Sequence, residues 1–222
     1  EKITVMNRLN TLSTICGLLT LIIISCGPTA TFDDPQPIDL KNENSFDKKY
    51  LGTYQSSDSA TTLFITDQLI TQSYSHYIET LLDSLDTTYQ LLADTLINNK
   101  TKSREIVLRT DSSIIQKYQN LDTIFEFKEG HALKKYKGHY FLNRQDKNDK
   151  KWSVGKLTLE KDILTLSYIS GKEDIDLLNE ITRIPEDTSK SIINYDINKK
   201  QFKKFLNSDG FKNIDTFVRV KD

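Results

Sequence analysis

No excess of either charge marks this chain: 30 lysines and arginines face 31 aspartates and glutamates over 222 residues. Without a basic surplus there is no electrostatic case for nucleic-acid binding, which needs one to contact phosphates. Eight glycines, four prolines and four alanines (Ala30, Ala60, Ala93, Ala132) are few. Ile, Leu, Thr, Tyr and Phe abound instead, a vocabulary that favours strands over helices. Catalytic signatures are missing as well. The chain has no Gly-x-Ser-x-Gly elbow, no phosphate-binding loop, no His-Glu-x-x-His and no dinucleotide fingerprint. Disorder is excluded from the other side, because 37 % of residues are apolar and 27 % charged, enough to bury a core. The length suits one large domain or two small ones.

A membrane-spanning helix wants about 20 apolar residues, and the apolar stretch Leu12 to Ile24 is only 13 long. It follows Met6-Asn7-Arg8-Leu9-Asn10, a short cationic start, with Met6 the natural initiator. That order is the one found in signal peptides. The stretch ends at Ile23-Ile24-Ser25-Cys26: an aliphatic residue, a tolerant position, a small residue and a cysteine. This tetrad resembles a bacterial lipobox, and the chain thereby resembles lipoproteins of the Bacteroidota type. An N-terminal transmembrane anchor, or an ordinary signal with a chance cysteine, is the alternative. The resemblance implies a diacylglyceryl group on the Cys26 sulfur, cleavage ahead of Cys26 and acylation of its new amine. It also implies an outer-membrane address, since Gly27 is not the aspartate that retains lipoproteins in the inner membrane. Asp33-Asp34 weakly resembles the acidic pair that directs such proteins to the cell surface. Two or three acyl chains hold a protein permanently where one holds it weakly. Cys16 would leave with the signal and Cys26 would carry lipid, so the mature chain would have no thiol, disulfide or sulfur ligand for metal.

Residues 1–25 are thus read as a lipoprotein signal peptide, 26–48 as an extended leash and 49–222 as a β-domain. The leash reading rests on absent periodicity and on Pro28, Pro35 and Pro37. Beyond Tyr50 the spacing predicts strands. Thr61–Thr66 and Leu69–Tyr74 make a hairpin about Asp67-Gln68; others lie at Tyr89–Leu92, Arg104–Arg109, Ile114–Tyr118, Thr123–Lys128 and Ala132–Tyr136. His139–Asn143, Lys151–Glu160, Ile163–Ile169, Ile192–Tyr195 and Thr216–Val220 follow. Apolar parity switches within Trp152–Leu159 at Gly155, which suggests a bulge. Two short packing helices are expected near the C-terminus. One runs from Asp174 to Thr182. The other has Asn198 as cap, Gln201 three residues on, and Gly210 as a left-handed stop that folds Phe211 back on Leu206. The fold class is mainly β, an antiparallel barrel or sandwich.

The body also echoes itself. Gly52-Thr53-Tyr54 recurs as Gly138-His139-Tyr140. Leu63, Ile65, Leu69, Ile70, Thr71, Ser73 and Tyr74 recur as Leu157, Leu159, Ile163, Leu164, Thr165, Ser167 and Tyr168. Two pseudo-repeats, 50–136 and 137–222, are expected to share one core, because a merged core buries more surface per residue. Convergence of two hairpins on similar residues is the alternative.

No residue is singled out as catalytic and no metal or cofactor is expected. His76, His131 and His139 have neither close spacing nor a paired motif, and Asp146-Lys147-Asn148-Asp149 lacks the glycine and final glutamate of a calcium loop. The aromatic residues Tyr54, Tyr74, Tyr140, Trp152 and Tyr168 could line a cavity, or simply fill the core. The resulting expectation is a lipid-anchored, non-catalytic envelope protein whose β-domain binds a small apolar or amphiphilic ligand. The alternatives are a docking subunit for another envelope protein, and a hydrolase with dispersed carboxylates.

Overall fold

Short runs that alternate apolar and polar residues can bury one face only by pairing edge to edge, and that is how the chain folds. The computed structural model describes residues 28–185 and 191–221; the signal peptide 1–25, the lipobox residues Ile23, Ile24 and Ser25, and Cys26 lie outside them. In chain order the first strands are β1 (Thr29–Phe32), β2 (Gly52–Ser56), β3 (Thr61–Ile65), β4 (Leu69–Leu81) and β5 (Tyr89–Leu92). Next come β6 (Thr95–Asn98), β7 (Arg104–Ile106), β8 (Leu108–Arg109), β9 (Ser113–Glu126) and β10 (Ala132–Tyr136). Strands β11 (His139–Gln145), β12 (Trp152–Glu160) and β13 (Ile163–Tyr168) lead into helix α1 (Lys172–Thr182). Strand β14 (Ile192–Tyr195), helix α2 (Lys199–Asn207) and strand β15 (Asn213–Arg219) complete the series. The protein is mainly β, sandwich-like, with two helices near its C-terminus.

The large sheet runs β10-β11-β12-β13-β15-β2-β3-β4-β9-β8. It contains two antiparallel meanders, β2-β3-β4-β9 and β11-β12-β13-β15, joined where β15 pairs with β2. Their registers agree. Tyr54 faces Leu63 as Tyr140 faces Leu157, and Ile65 faces Ile70 as Leu159 faces Leu164. The fourth strand of each sets a phenylalanine opposite the same site, Phe125 opposite Ile70 and Phe217 opposite Leu164. These residues point inward and form one core.

The sheet does not close into a barrel. In the first meander the outer edge of β2 receives β15; in the second the matching edge of β11 is already taken by β10, with Leu133 opposite Leu142. No ladder joins β9 to β10 among the described residues, so a seam remains between them. Phe46 fills it, its ring 5.9 Å from Phe125, 5.9 Å from Phe127 and 5.4 Å from Tyr140. Glu43 N–H donates to Leu133 O and Phe46 N–H to Asp67 O, tying the filler to both sides.

This overturns the leash. From Pro28 onward the segment is packed structure: Phe32, Gln36, Phe46 and Tyr50 are buried, and β1 pairs with β14 and β12. Prolines removed the usual periodicity without preventing burial. Because β1 and β14 run parallel, the sheet is mixed and not wholly antiparallel. Asp33, half of the acidic pair, is held by Lys151 and by Asn194 Nδ2 at 3.0 Å, and Lys151 keeps its carboxyl below the usual range.

A second core lies on the outer face of β11 and β12, where Phe141 and Val154 meet β1, β14 and both helices. This explains the parity switch in β12. Val154 faces the helices while Leu157 faces the meanders' interior, so both faces are buried along different stretches. No bulge occurs at Gly155; β12 pairs without a break. Helix α2 has its capping box, with Asn198 Oδ1 accepting from Gln201 N–H and Gln201 Oε1 from Asn198 N–H. Gly210, however, is not the left-handed residue. Asp209 (φ 60) and Phe211 (φ 70) take that conformation, and Gly210 is needed because a Cβ there would strike the Phe205 ring.

Beyond Ser75 the β4–β9 ribbon leaves the sheet as an arm, tipped by the small sheet β5-β6-β7 over Leu96, Val107 and Ile114.

Two outcomes are expected. Phe46→Ala should cost about 3–5 kcal/mol in chemical denaturation, whereas a residue in a leash would cost nothing. Burial pushes the phenols of Tyr50, Tyr140 and Tyr195 from 10 up to about 12. The stability they contribute is complete below pH 10 and is lost as pH rises towards 12, because the unfolded chain ionises first. Denaturation midpoints measured across that window should fall.

Candidate functional site

Among the described residues the five aromatic candidates do not share a cavity. Tyr54 and Tyr140 are core residues, 0 % and 1 % exposed. Tyr54 Oη donates to Tyr50 O at 2.9 Å and accepts from Arg219; Tyr140 Oη accepts from Asp47 N–H at 3.0 Å. Tyr50 packs edge-on against Tyr140 at 4.8 Å. Trp152 leans on the second core, opposite Phe32. Tyr74 sits on the arm side of β4, 6.5 Å from His76, which stacks on Tyr118. Of the five, Tyr168 lines a concave site.

That site is a groove of about 690 Å³ where β1, the ends of β11 to β13, the start of α1 and the first residue of β15 meet. Its volume falls in the range of small-molecule sites. Ala30, Val154 and Ile169 are buried beneath it and give an apolar floor. Thr29, Thr31, Ser153, Ser170 and Asn213 supply a polar rim, and Arg144 is the one charged residue of the lining among the described residues. Among the described residues the lining contains no carboxylate.

Each wall has a local cause. Tyr168 lies directly across from Gly155, and a Cβ there would come within 3.2 Å of its ring. The glycine opens the place the ring occupies, an aromatic laid over a bare backbone position. The Arg144 guanidinium rests 6.0 Å above the Tyr168 ring, a cation–π arrangement. Burial pushes the Tyr168 phenol up, while Arg144 opposes that shift.

The α1 end of the groove is fixed by Asp174, which is fully buried. Its carboxylate accepts from Phe211 N–H at 2.9 Å, Lys212 N–H at 3.1 Å and Ser170 N–H at 3.3 Å. Burial raises its pKa despite those bonds. Asn213 Nδ2 donates to Ser170 Oγ at 3.0 Å, closing the same corner.

His139 Nδ1 bonds Thr158 Oγ1 at 2.8 Å and His131 Nδ1 accepts from Gln145 N–H at 3.2 Å; burial lowers both pKa values. Among the described residues no cluster of three His, Cys, Asp or Glu could hold a metal ion. Sequence reasoning missed Arg144, Ser153, Ser170 and Asn213. Thr29-Ala30-Thr31-Phe32 did carry a signal, strict polar–apolar alternation over four residues.

No protein family matches the chain, and no curated protein or solved structure matches it either.

Replacing Arg144 by alanine removes the cation that opposes the upward shift of Tyr168. The Tyr168 phenol should then ionise at still higher pH, seen as an upward shift of one tyrosine step in an ultraviolet absorbance titration.

Proposed function

We propose that the chain is a lipid-anchored cell-envelope protein, held at the outer membrane through Cys26, whose non-catalytic β-body binds a small amphiphile. The observation that carries the ligand half is the groove, which joins an apolar floor of Ala30, Val154 and Ile169 to a rim with one cation, Arg144. An acyl or other apolar portion suits the floor, and an anionic or strongly polar head suits the guanidinium. The lipobox tetrad Ile23-Ile24-Ser25-Cys26 supports the anchor half. Among the described residues no helix is long and apolar enough to cross a membrane.

A docking role is the second reading. The arm favours it, with Tyr77, Leu81, Ile106 and Leu108 exposed, Ile106 at 84 %. An apolar patch of that kind marks a contact with another protein.

Cys26→Ala should shift the protein from the membrane to the soluble fraction; unchanged retention sinks the anchor. With a fluorescent single-chain phospholipid as probe, Arg144→Ala should weaken binding about tenfold, the loss of one charge-assisted contact. Equal binding by both proteins removes the groove as its site and leaves docking as the better reading.

A further inference from the structure

The lipid site and the folded body are almost contiguous. Pro28 O accepts from Gly171 N–H at 2.8 Å, Thr29 N–H donates to Ser191 O at 2.9 Å, and Ala30 N–H donates to Ile169 O at 3.4 Å. The chain is therefore fixed to the body from residue 28 onward. Only Gly27 separates Pro28 from Cys26, and two residues fully extended span at most about 7 Å. A lipid on Cys26 leaves no slack to lift this end of the body away from the bilayer.

The surface around Pro28 suits such contact. Ile192, paired with Thr29, is 59 % exposed, and Ile214, beside Asn213 on β15, is 53 % exposed. Thr29, which pairs with Ile192, and Asn213, the chain neighbour of Ile214, both line the groove. Arg144 and Asp215 act on Tyr168 with opposite charges and Lys172 is paired with Asp176, so the attraction is apolar more than electrostatic. Exposed isoleucines at the headgroup level gain from leaving water.

We infer that the face bearing Pro28, Ile192, Ile214 and the mouth of the groove rests against the bilayer that holds the anchor. The groove then opens towards lipid and not towards bulk water, and an amphiphile enters it from the membrane. This rests on the reading of Cys26 as the lipid site.

The turn between β12 and β13 provides an internal control. Glu160 lies at the opposite end of β13 from Ser170, about 20 Å away along the strand. In the lipidated mature protein an introduced cysteine is the sole free thiol. Asn213→Cys, Ile192→Cys and Glu160→Cys would each be labelled with a fluorophore in vesicles of phosphatidylethanolamine and phosphatidylglycerol. Lipids carrying a quencher in the acyl chain then report depth. Labels at 213 and 192 should be quenched at least threefold more than the label at 160. Equal or reversed quenching with the protein still vesicle-bound overturns the orientation and leaves the anchor standing. An unmodified Cys26 in the intact mass of the membrane-extracted protein overturns both.

Discussion

A sheet that stops short of closure must hide two edges, and the whole body depends on how Phe46 does this. The ring enters the seam between β9 and β10 and touches Phe125, Phe127 and Tyr140 at once. Its neighbour Tyr50 continues the contact along the interior, edge-on to Tyr140. Without them the seam would admit water to a core held mainly by apolar burial. The segment that supplies both rings precedes the first meander, so the N-terminal stretch completes a sheet to which it contributes little ladder.

The two meanders divide the remaining work. The first sends β4 and β9 outward as an arm; the second inserts α1, β14 and α2 between β13 and β15. Both insertions leave the shared strands in the same register. The second insertion covers the outer face of β11 and β12 and creates the groove at its margin, while the first leaves a ribbon with exposed apolar side chains. Function-bearing surface therefore belongs to what differs between the meanders, and the common strands serve as a frame.

The strands near the core were legible because one face is buried and the other wet. The hairpin of Thr61–Ile65 and Leu69–Tyr74, the β10 strand and the capping box of Asn198 and Gln201 all have local signals. Strand β9 was harder. It reads as two strands because Gln119, Asn120 and Asp122 interrupt its apolar residues. There the ribbon leaves the core, and pairing with β4 alone holds it extended. Strand β1 is four residues long and flanked by proline-rich sequence, too brief for periodicity to be decisive. The groove was not legible at all. It draws on segments more than 180 residues apart in the chain, and Arg144 acquires meaning only through Tyr168, which is placed by Gly155.

The parallel pairing of β1 with β14 has a mechanical consequence. Four successive residues, Thr29 to Phe32, face Ile192 to Tyr195 in step. A tug on the N-terminal end directed along the strand axis strains these rungs together, as a lap joint loads its full overlap. A sideways tug opens them one after another, beginning at Thr29. The attachment is therefore strong in one direction and weak across it, an anisotropy that matters for any body held at that end under flow.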